Sequence, residues 1–334
     1  MDAALTIPRL DPGPESPEAA SRLGEAAALA TAICWATSAL LFTFAARHVG
    51  SFRVNQIRLL LACLLLGGAV AVRAALGGDV AFPAPRQASF LLASGFVGLT
   101  LGDAALFRAF VLLGARRVML VAASAPVFVA VLAVPLLGER LGAVGVAGMA
   151  ITLAGIAWVV RERREDGAPE GHLREGVLLA VVAAFGQAAG AVLAKAGLGQ
   201  APEGSPLADA VGGGAAVVDP LVGTFLRMTA GTAGLLLWAA PAGRLRGLLD
   251  GIDAPRTRIA LLLGTVFGPT VGIWLSLVAF AHTEAAVAQT LMALTPIAVM
   301  PMARVVFGER ASLRAWIGAL VAVGGAAVLA FRDR

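Results

Sequence analysis

The sequence has very little charge for its length. Of its 334 residues, 14% are charged and 59% are hydrophobic, and the mean hydropathy is +0.85. Soluble domains carry about 25% charged and about 45–50% apolar residues. So few charges could not cover a water-facing surface of this size, so the composition excludes an ordinary soluble protein. It predicts that most of the chain lies in a lipid bilayer.

Residue types that carry enzyme and metal chemistry are also scarce. The chain has no tyrosine, two cysteines and three histidines. Cys34 and Cys63 lie inside apolar runs, which indicates packing residues rather than a disulfide or a metal pair. The histidines show no metal-ligand spacing, and neither a Gly-x-Ser-x-Gly elbow nor a phosphate-binding loop is present. We therefore expect no cofactor, no metal and no catalytic residue.

The basic residues are almost all arginine. Lys195 is the single lysine among 26 basic residues, and the net charge is +5. Such a surplus would indicate nucleic-acid binding in a soluble protein. Here the arginines cluster between apolar runs, as they do in membrane proteins, so we expect no nucleic-acid partner.

Apolar runs of about 20 residues, the length that crosses a bilayer as a helix, divide most of the chain. They predict an all-α membrane protein of ten transmembrane helices, at residues 25–46, 54–76, 88–110, 115–137, 141–160, 175–198, 220–240, 258–281, 285–307 and 313–331. We expect a disordered tail at 1–24, a charged linker at 161–174 and a flexible Gly-rich loop at 199–218.

The chain repeats itself at an offset of 170 residues. Gly138-Glu139-Arg140 falls on Gly308-Glu309-Arg310, and Pro126 falls on Pro296. Glycines match as well, and Arg58 meets Arg227 at an offset of 169. The repeats are 25–160 and 175–331. Because each predicts five helices, an odd number, the second must cross the membrane in the opposite sense, which is the arrangement of carriers that work by alternating access.

Small residues recur at helical spacing in the third and eighth runs. Gly264, Gly268 and Gly272 match Ser94, Gly98 and Gly102. Small residues four apart let helix backbones approach closely. Both static packing and a sliding gate fit this pattern.

The run GDAALFRAFVLLGARRVMLVAASAPVFVAVLAVPLLGERLGAVGVAGMAITLAGIAWVV, and the stretch from Phe280 to Ala330, resemble the EamA repeat of the drug/metabolite transporter superfamily. The resemblance implies a ten-helix inner-membrane carrier of small metabolites, often an exporter of amino acids or related compounds, with cytoplasmic termini. The loops on the side of the membrane opposite the termini contain more arginines. This distribution favours termini outside the cytoplasm, so the orientation stays open. Phe185-Gly186-Gln187 departs from the usual small residue and Trp, present in the first repeat as Cys34-Trp35.

Ionisable residues inside a span are costly and tend to face a cavity or a partner. Asp103 is the one acid deep in a run, and it either couples a proton or substrate or forms a salt bridge with Arg58 or Arg108. Arg58 and Arg227 either bind an anionic substrate or anchor the helices at the interface. Lys195 matches a lysine common in the family, with snorkelling to the interface as the alternative.

Aromatic and amide side chains supply the remaining candidates for an apolar binding pocket. We expect Glu139 to cap the helix that follows or to pair with a nearby arginine. The other candidates, each with simple packing as the alternative, are Trp35, Asn55, Gln56, Phe107, Gln187, Trp274 and Gln289.

Together these features predict a secondary transporter in a bacterial inner membrane that moves a small organic metabolite by alternating access. Whether a proton is coupled to transport, and whether the protein is a monomer or a homodimer, stay open at this point. The alternatives are a membrane-embedded receptor or assembly subunit, or an enzyme, without transport activity.

Overall fold

The computed structural model describes residues 17–330 except 79, 123, 140, 163–172, 242–251, 253 and 308–311. These residues form α-helices and two π-helical segments, and no strand occurs among them. The elements are α1 (Pro17–Val49), α2 (Ser51–Ala75), α3 (Pro85–Gly95), π1 (Phe96–Gly102), α4 (Asp103–Ala122), α5 (Ala125–Leu137), α6 (Ala143–Glu162), α7 (Leu173–Gly197), α8 (Pro206–Val211), α9 (Pro220–Ala239), α10 (Pro255–Thr265), π2 (Val266–Gly272), α11 (Ile273–His282), α12 (Ala285–Met292), α13 (Thr295–Phe307) and α14 (Leu313–Ala330).

Seven stretches of helix in the described part of the chain are long and apolar enough to cross a membrane. Three more apolar helices, within α5, α6 and α14, are shorter. The all-α, multi-pass membrane architecture is therefore confirmed, and the count of ten spans stays a prediction. The seven stretches are Ala19–Ala46, Phe52–Ala75, Pro85–Leu106, Arg174–Gly197, Pro220–Ala239, Pro255–His282 and Ala285–Met302.

Several helix ends differ from the sequence-based boundaries. Helix α1 begins at Pro17, so residues 17–24, which we assigned to the tail, are helical. Residues 1–16 lie outside the described residues. The loop at 199–218 contains α8, whose first turn is capped by the Ser205 hydroxyl accepting from the Ala208 amide at 3.3 Å. Most of the linker at 161–174 also lies outside the described part.

The predicted break between the third and fourth runs, after residue 110, was wrong. Helix α4 continues through this point to Ala122, and α5 begins at Ala125. The residues from 111 to 114 are Val-Leu-Leu-Gly, which contain no proline to end a helix. Pro126 stands in the first turn of α5, where its missing amide proton costs nothing. The proline therefore marks the true boundary.

In the second copy the chain breaks twice over the same stretch. Helix α11 ends at His282, before Thr283 with its extended backbone, which agrees with the predicted boundary. The predicted ninth span is then divided into α12 and α13, and Pro296 stands in the first turn of α13 as Pro126 does in α5. The two copies thus share the proline-marked start but differ in the helix before it.

The two π-helical segments lie at equivalent places in the two repeats. Each position of π1, from Phe96 to Gly102, corresponds to one of π2, from Val266 to Gly272, at the offset of 170. A π-turn is rare and often marks a functional site. Its recurrence shows that the sequence repeat is also a repeat of local backbone geometry.

Helices α6 and α14, the last of each repeat, pack against each other at matched glycines. A Cβ on Gly155 would lie 2.4 Å from the Ala322 amide nitrogen, and one on Gly325 would lie 2.5 Å from the Thr152 amide nitrogen. Thr152 and Ala322 are themselves 170 residues apart. Later positions of α6 therefore meet earlier positions of α14, so these two equivalent helices run antiparallel.

Helices α2 and α9 form a second antiparallel pair of equivalent helices. The Cys63 sulfur lies 3.7 Å from the Thr229 hydroxyl. The Thr232 hydroxyl donates to the Leu59 carbonyl at 3.1 Å. Two reciprocal crossings of equivalent helices are what a local two-fold relation between the repeats requires.

Helices α1 and α7 each lie against elements of the opposite repeat. Helix α1 packs on α10, π2 and α11, and α7 packs on α3, π1 and α4. The Ser38 hydroxyl of α1 donates to the Gly264 carbonyl at 2.9 Å. The Ser94 hydroxyl, at the position equivalent to Gly264, donates to the Gly190 carbonyl of α7 at 2.5 Å. A serine–glycine hydrogen bond therefore joins the two helices at both crossings. In one crossing the serine lies on α1, the first helix of its repeat, and in the other it lies on α3, at the position equivalent to Gly264 of α10.

Candidate functional site

The buried carboxylate of Asp103 binds side chains from both repeats. Asp103 is the first residue of α4, directly after π1, and is 4% exposed. Its Oδ2 forms an ion pair with Arg58 Nη2 on α2, and its Oδ1 accepts a hydrogen bond from Gln187 Nε2 on α7 at 2.9 Å. The salt-bridge partner is therefore Arg58. Arg108 instead lies 3.5 Å from Glu175, with both side chains exposed.

Arg58 is oriented by its own helix and by α1. Its Nε donates to Asn55 Oδ1 at 2.7 Å, three residues earlier on α2. Its guanidinium carbon lies 5.9 Å from the centroid of the Phe42 ring, within reach of a cation–π contact. Sequence analysis found Arg58 and Asn55 because they are polar residues at the start of a span. It missed Phe42, since one phenylalanine in an apolar run carries no signal.

Gln187 connects α7 to the π-helical segment of the first repeat. Besides Asp103, its Nε2 donates to the Gly98 carbonyl at 3.2 Å. Gly186 permits this approach, because a Cβ there would lie 3.2 Å from the Gly102 Cα. Trp35 occupies the corresponding crossing of the other repeat, since a Cβ on Gly272 would lie 2.8 Å from its Nε1. Arg58, Asp103, Gln187 and Arg227 form a cluster that we call the polar centre. The departure from the family pattern at Gln187 therefore lies in this cluster.

Arg227 is placed at the same centre by α9. It is 5% exposed, and its Nε is buried without a hydrogen-bond partner. A Cβ on Gly98 would lie 3.9 Å from both Arg227 Nη2 and Gln187 Oε1, so both atoms face the bare surface of that glycine. The backbone of Arg227 packs so closely on Gly95 that a Cβ on Gly95 would lie 2.2 Å from the Arg227 carbonyl oxygen.

A second buried ion pair joins the repeats away from this centre. Lys195 Nζ lies 2.7 Å from Glu139 Oε1 and donates to the Thr283 carbonyl at 2.6 Å. Glu139 Oε2 accepts from the Ala285 amide at 2.9 Å, at the start of α12. Lys195 is 7% exposed, so it does not snorkel. Glu139 does cap a helix, but that helix is α12 of the other repeat rather than the one that follows it.

The remaining candidates are spread over the helices. Gln56 is 2% exposed, and neither polar atom of its amide has a hydrogen-bond partner. Trp274 is 38% exposed on α11, and Gln289 is half-buried on α12. The side chain of Phe107 lies outside the described part of the structure. No group of three or more His, Cys, Asp or Glu side chains that could hold a metal ion occurs among the described residues.

One cavity lies outside the polar centre, in the segment between α7 and α9. It has a volume of about 330 Å³ and is lined mostly by Ala and Gly, with Glu203 the one charged residue. Its lining offers few polar groups to fix the orientation of a ligand.

The sequence matches the model of a known family. Its model, described as the EamA-like transporter family, matches residues 22–161 and again residues 210–331. The chain belongs to the EamA-like transporter family. The two matches confirm the internal repeat, and this is a family of membrane transporters rather than of enzymes.

Solved structures give the same fold. One crystal structure of a protein is similar to this EamA-like chain with a TM-score of 0.69 and 20% identity, over 93% of this chain and 98% of its own. At this identity the likeness shows the fold alone. No curated protein matches the sequence.

Proposed function

We propose that this EamA-like protein is a secondary transporter, which moves a small organic metabolite across a bacterial inner membrane by alternating access. In this proposal its helices form ten spans in two inverted five-helix repeats. The antiparallel packing of equivalent helices, α2 with α9 and α6 with α14, supports the inversion. Inverted repeats of this kind place a substrate site between the two halves, near the middle of the membrane.

The observation that carries the proposal is the mixed origin of the polar centre. Arg58 and Asp103 come from the first repeat, and Gln187 and Arg227 come from the second. A site built from both repeats changes shape when one half rotates against the other. The Gln187–Asp103 hydrogen bond crosses from one repeat to the other, so it is a contact that such a rotation would break and remake.

The contacts between the repeats favour closure on one side. In the proposed topology Lys195–Glu139 and Arg73–Asp219, at 2.7 and 2.6 Å, both lie on the side that holds the termini. Arg108–Glu175 lies on the other side, is longer at 3.5 Å and is exposed. We therefore assign the structure to a state closed towards the termini.

The driving force of transport is a gradient, because the sequence contains no phosphate-binding loop to use ATP. Asp103 is the acid available at the polar centre to bind and release a proton. We propose proton coupling through this carboxylate and, from the resemblance, export of an amino acid or a related compound.

The test is flux through the purified protein in proteoliposomes. A panel of labelled amino acids and related metabolites is offered with and without a pH gradient. The proposal expects saturable flux of at least one solute, faster with the gradient than without it. No flux of any solute in either direction would contradict transport and favour a receptor, an assembly subunit or an enzyme.

A further inference from the structure

We propose that Arg227 is the binding site for a carboxylate group of the transported substrate, which makes the substrate a carboxylate-bearing metabolite with one negative charge at that site. This inference rests on the proposed transport function, because it concerns the solute that the polar centre receives. It assigns a chemical role to one of the two arginines that the repeat relates.

Arg58 and Arg227 occupy equivalent positions but differ in their partners. Arg58 is neutralised by Asp103 and bonded to Asn55. Position 273, which is 170 residues after Asp103, holds Ile273. Arg227 has neither an ion pair nor a side-chain hydrogen bond to any described residue, although it is 5% exposed. The second repeat therefore keeps the cation and lacks the acid.

A buried charge without a partner is strongly destabilising. A ligand that supplies the opposite charge would remove this cost. A guanidinium binds a carboxylate through two parallel hydrogen bonds, and the Nε that lacks a partner is one of the donors that this arrangement uses.

Arg227 faces Gly98 together with the amide of Gln187. Gly98 has no side chain, and the nearest atoms around the position of its missing Cβ lie 3.8 to 3.9 Å away. Arg227 Nη2 and Gln187 Oε1 are among those atoms. A cation donor and an amide acceptor thus face the same bare glycine, which fits a solute with a carboxylate and a hydrogen-bond donor, such as an ammonium or hydroxyl group.

The charge of the centre selects a carboxylate over a phosphate monoester. While Asp103 is ionised, two guanidiniums and one carboxylate leave a single positive charge among Arg58, Asp103 and Arg227. One carboxylate neutralises that charge, whereas a phosphate monoester carries about −1.5 to −2 at neutral pH and would leave an excess negative charge in a buried site.

Binding to the full-length protein in detergent tests this assignment without requiring transport. Thermal stabilisation is measured with leucine, phenylalanine, lactate and butyrate, each beside its carboxamide, and with inorganic phosphate and glycerol phosphate. We expect at least one carboxylate to bind about 30-fold or more tightly than its carboxamide and than the phosphates. Equal binding of carboxamides, preference for phosphates, or no stabilisation by any carboxylate at about 10 mM would overturn the assignment.

Two variants identify the residue. Arg227→Met removes the buried cation, and Arg108→Met is the matched control that removes an exposed one. We expect Arg227→Met to abolish the carboxylate preference. Because it removes a buried charge without a partner, it should also raise the unfolding temperature of the ligand-free protein by about 2 °C. Arg108→Met should change neither property. If Arg227→Met retains the carboxylate preference, or lowers that temperature, Arg227 is a structural residue and the assignment fails.

The binding experiment and the flux experiment can give different outcomes, which distinguish failure of this assignment from failure of the transport proposal. Carboxylate binding that requires Arg227, in a protein without flux, would uphold this assignment and contradict transport. Flux of solutes with no carboxylate, unchanged in Arg227→Met, would uphold transport and overturn the assignment.

Discussion

At the scale of single residues, the functional asymmetry of the molecule lies in a few substitutions between the repeats. Asp103 corresponds to Ile273, and Gln187 stands at the crossing where the first helix has Trp35. Because of these changes, an acid, an amide and two arginines lie around the π-helical segment of the first repeat, and the equivalent segment of the second repeat lacks the acid and the amide. A duplicated fold thereby acquires one polar centre instead of two.

Sequence alone identified the members of this centre and named Arg58 as one of two possible salt-bridge partners of Asp103, but it did not predict the contact with Gln187. A charge inside an apolar run is visible from composition, so Asp103, Arg58 and Arg227 were found directly. The partnership of Asp103 with Gln187 joins residues 84 positions apart on different helices. No local pattern encodes such a contact, because it depends on how the two repeats pack.

Asp103→Asn is expected to uncouple transport from the proton gradient. Asparagine is similar in size and can still bond to Arg58 and Gln187, but it cannot carry the proton that a carboxyl group can. Driven flux in proteoliposomes should fall to the undriven rate, while exchange of labelled for unlabelled substrate continues. Asp209→Asn, at an exposed acid of α8, serves as the matched control with unchanged driven flux. Full driven transport in Asp103→Asn would discard the coupling role.

At the scale of helices, the 170-residue offset predicted which positions of the two repeats are equivalent. It placed Gly155 and Gly325 at matching positions, and the structure brings each against the partner helix. Helix ends were predicted less well. The break after α4 lies at Pro126 and not at the Gly114 region, because the chain from 111 to 114 can remain helical and the start of the next helix is fixed by proline.

Gly325→Ala and Gly324→Ala test the α6–α14 crossing as a matched pair. A Cβ on Gly325 would lie 2.5 Å from the Thr152 amide nitrogen, whereas one on Gly324 meets nothing within 4 Å. Alanine at 325 should destabilise the protein by about 1–3 kcal/mol through overpacking. Alanine at 324 should be neutral or stabilise by up to about 1 kcal/mol through helix propensity. Thermal unfolding in detergent measures both, and equal effects would contradict the crossing.

The Glu139–Lys195 pair can be followed chemically because Lys195 is the chain's single lysine. Buried beside Glu139, it should react slowly with an amine acylating reagent. Glu139→Gln removes the opposing charge and should raise the acylation rate about 10-fold or more, since a change of about 1.4 kcal/mol in exposing a reactive amine is tenfold in rate. Mass spectrometry of the Lys195 peptide reports the rate separately from the amino terminus.

Glu203→Gln provides the control for this experiment. Glu203 is exposed in the segment after α7, so removing its charge should leave the reactivity of Lys195 unchanged. Wild-type Lys195 reacting as fast as an exposed lysine, or no acceleration in Glu139→Gln, would show that the ion pair does not hold the two repeats together in the membrane protein.

At the scale of the whole molecule, scarcity of charge and duplication act together. The bilayer requires nearly every side chain on the outside to be apolar, so the few ionisable groups inside the spans are concentrated where the repeats meet. Reciprocal packing of α2 with α9 and α6 with α14 gives two equivalent halves. Two halves that can exchange roles across one polar centre are the structural basis of the proposed carrier.

Counterflow through proteoliposomes tests this central claim most directly. Vesicles are loaded with unlabelled substrate, and uptake of the labelled substrate from outside is measured. In a carrier whose single site opens to each side in turn, the site returns to the outside faster with substrate bound than without it. Internal substrate should therefore accelerate uptake of the labelled substrate, and this acceleration should saturate. Uptake that rises linearly with concentration and ignores internal substrate would contradict alternating access.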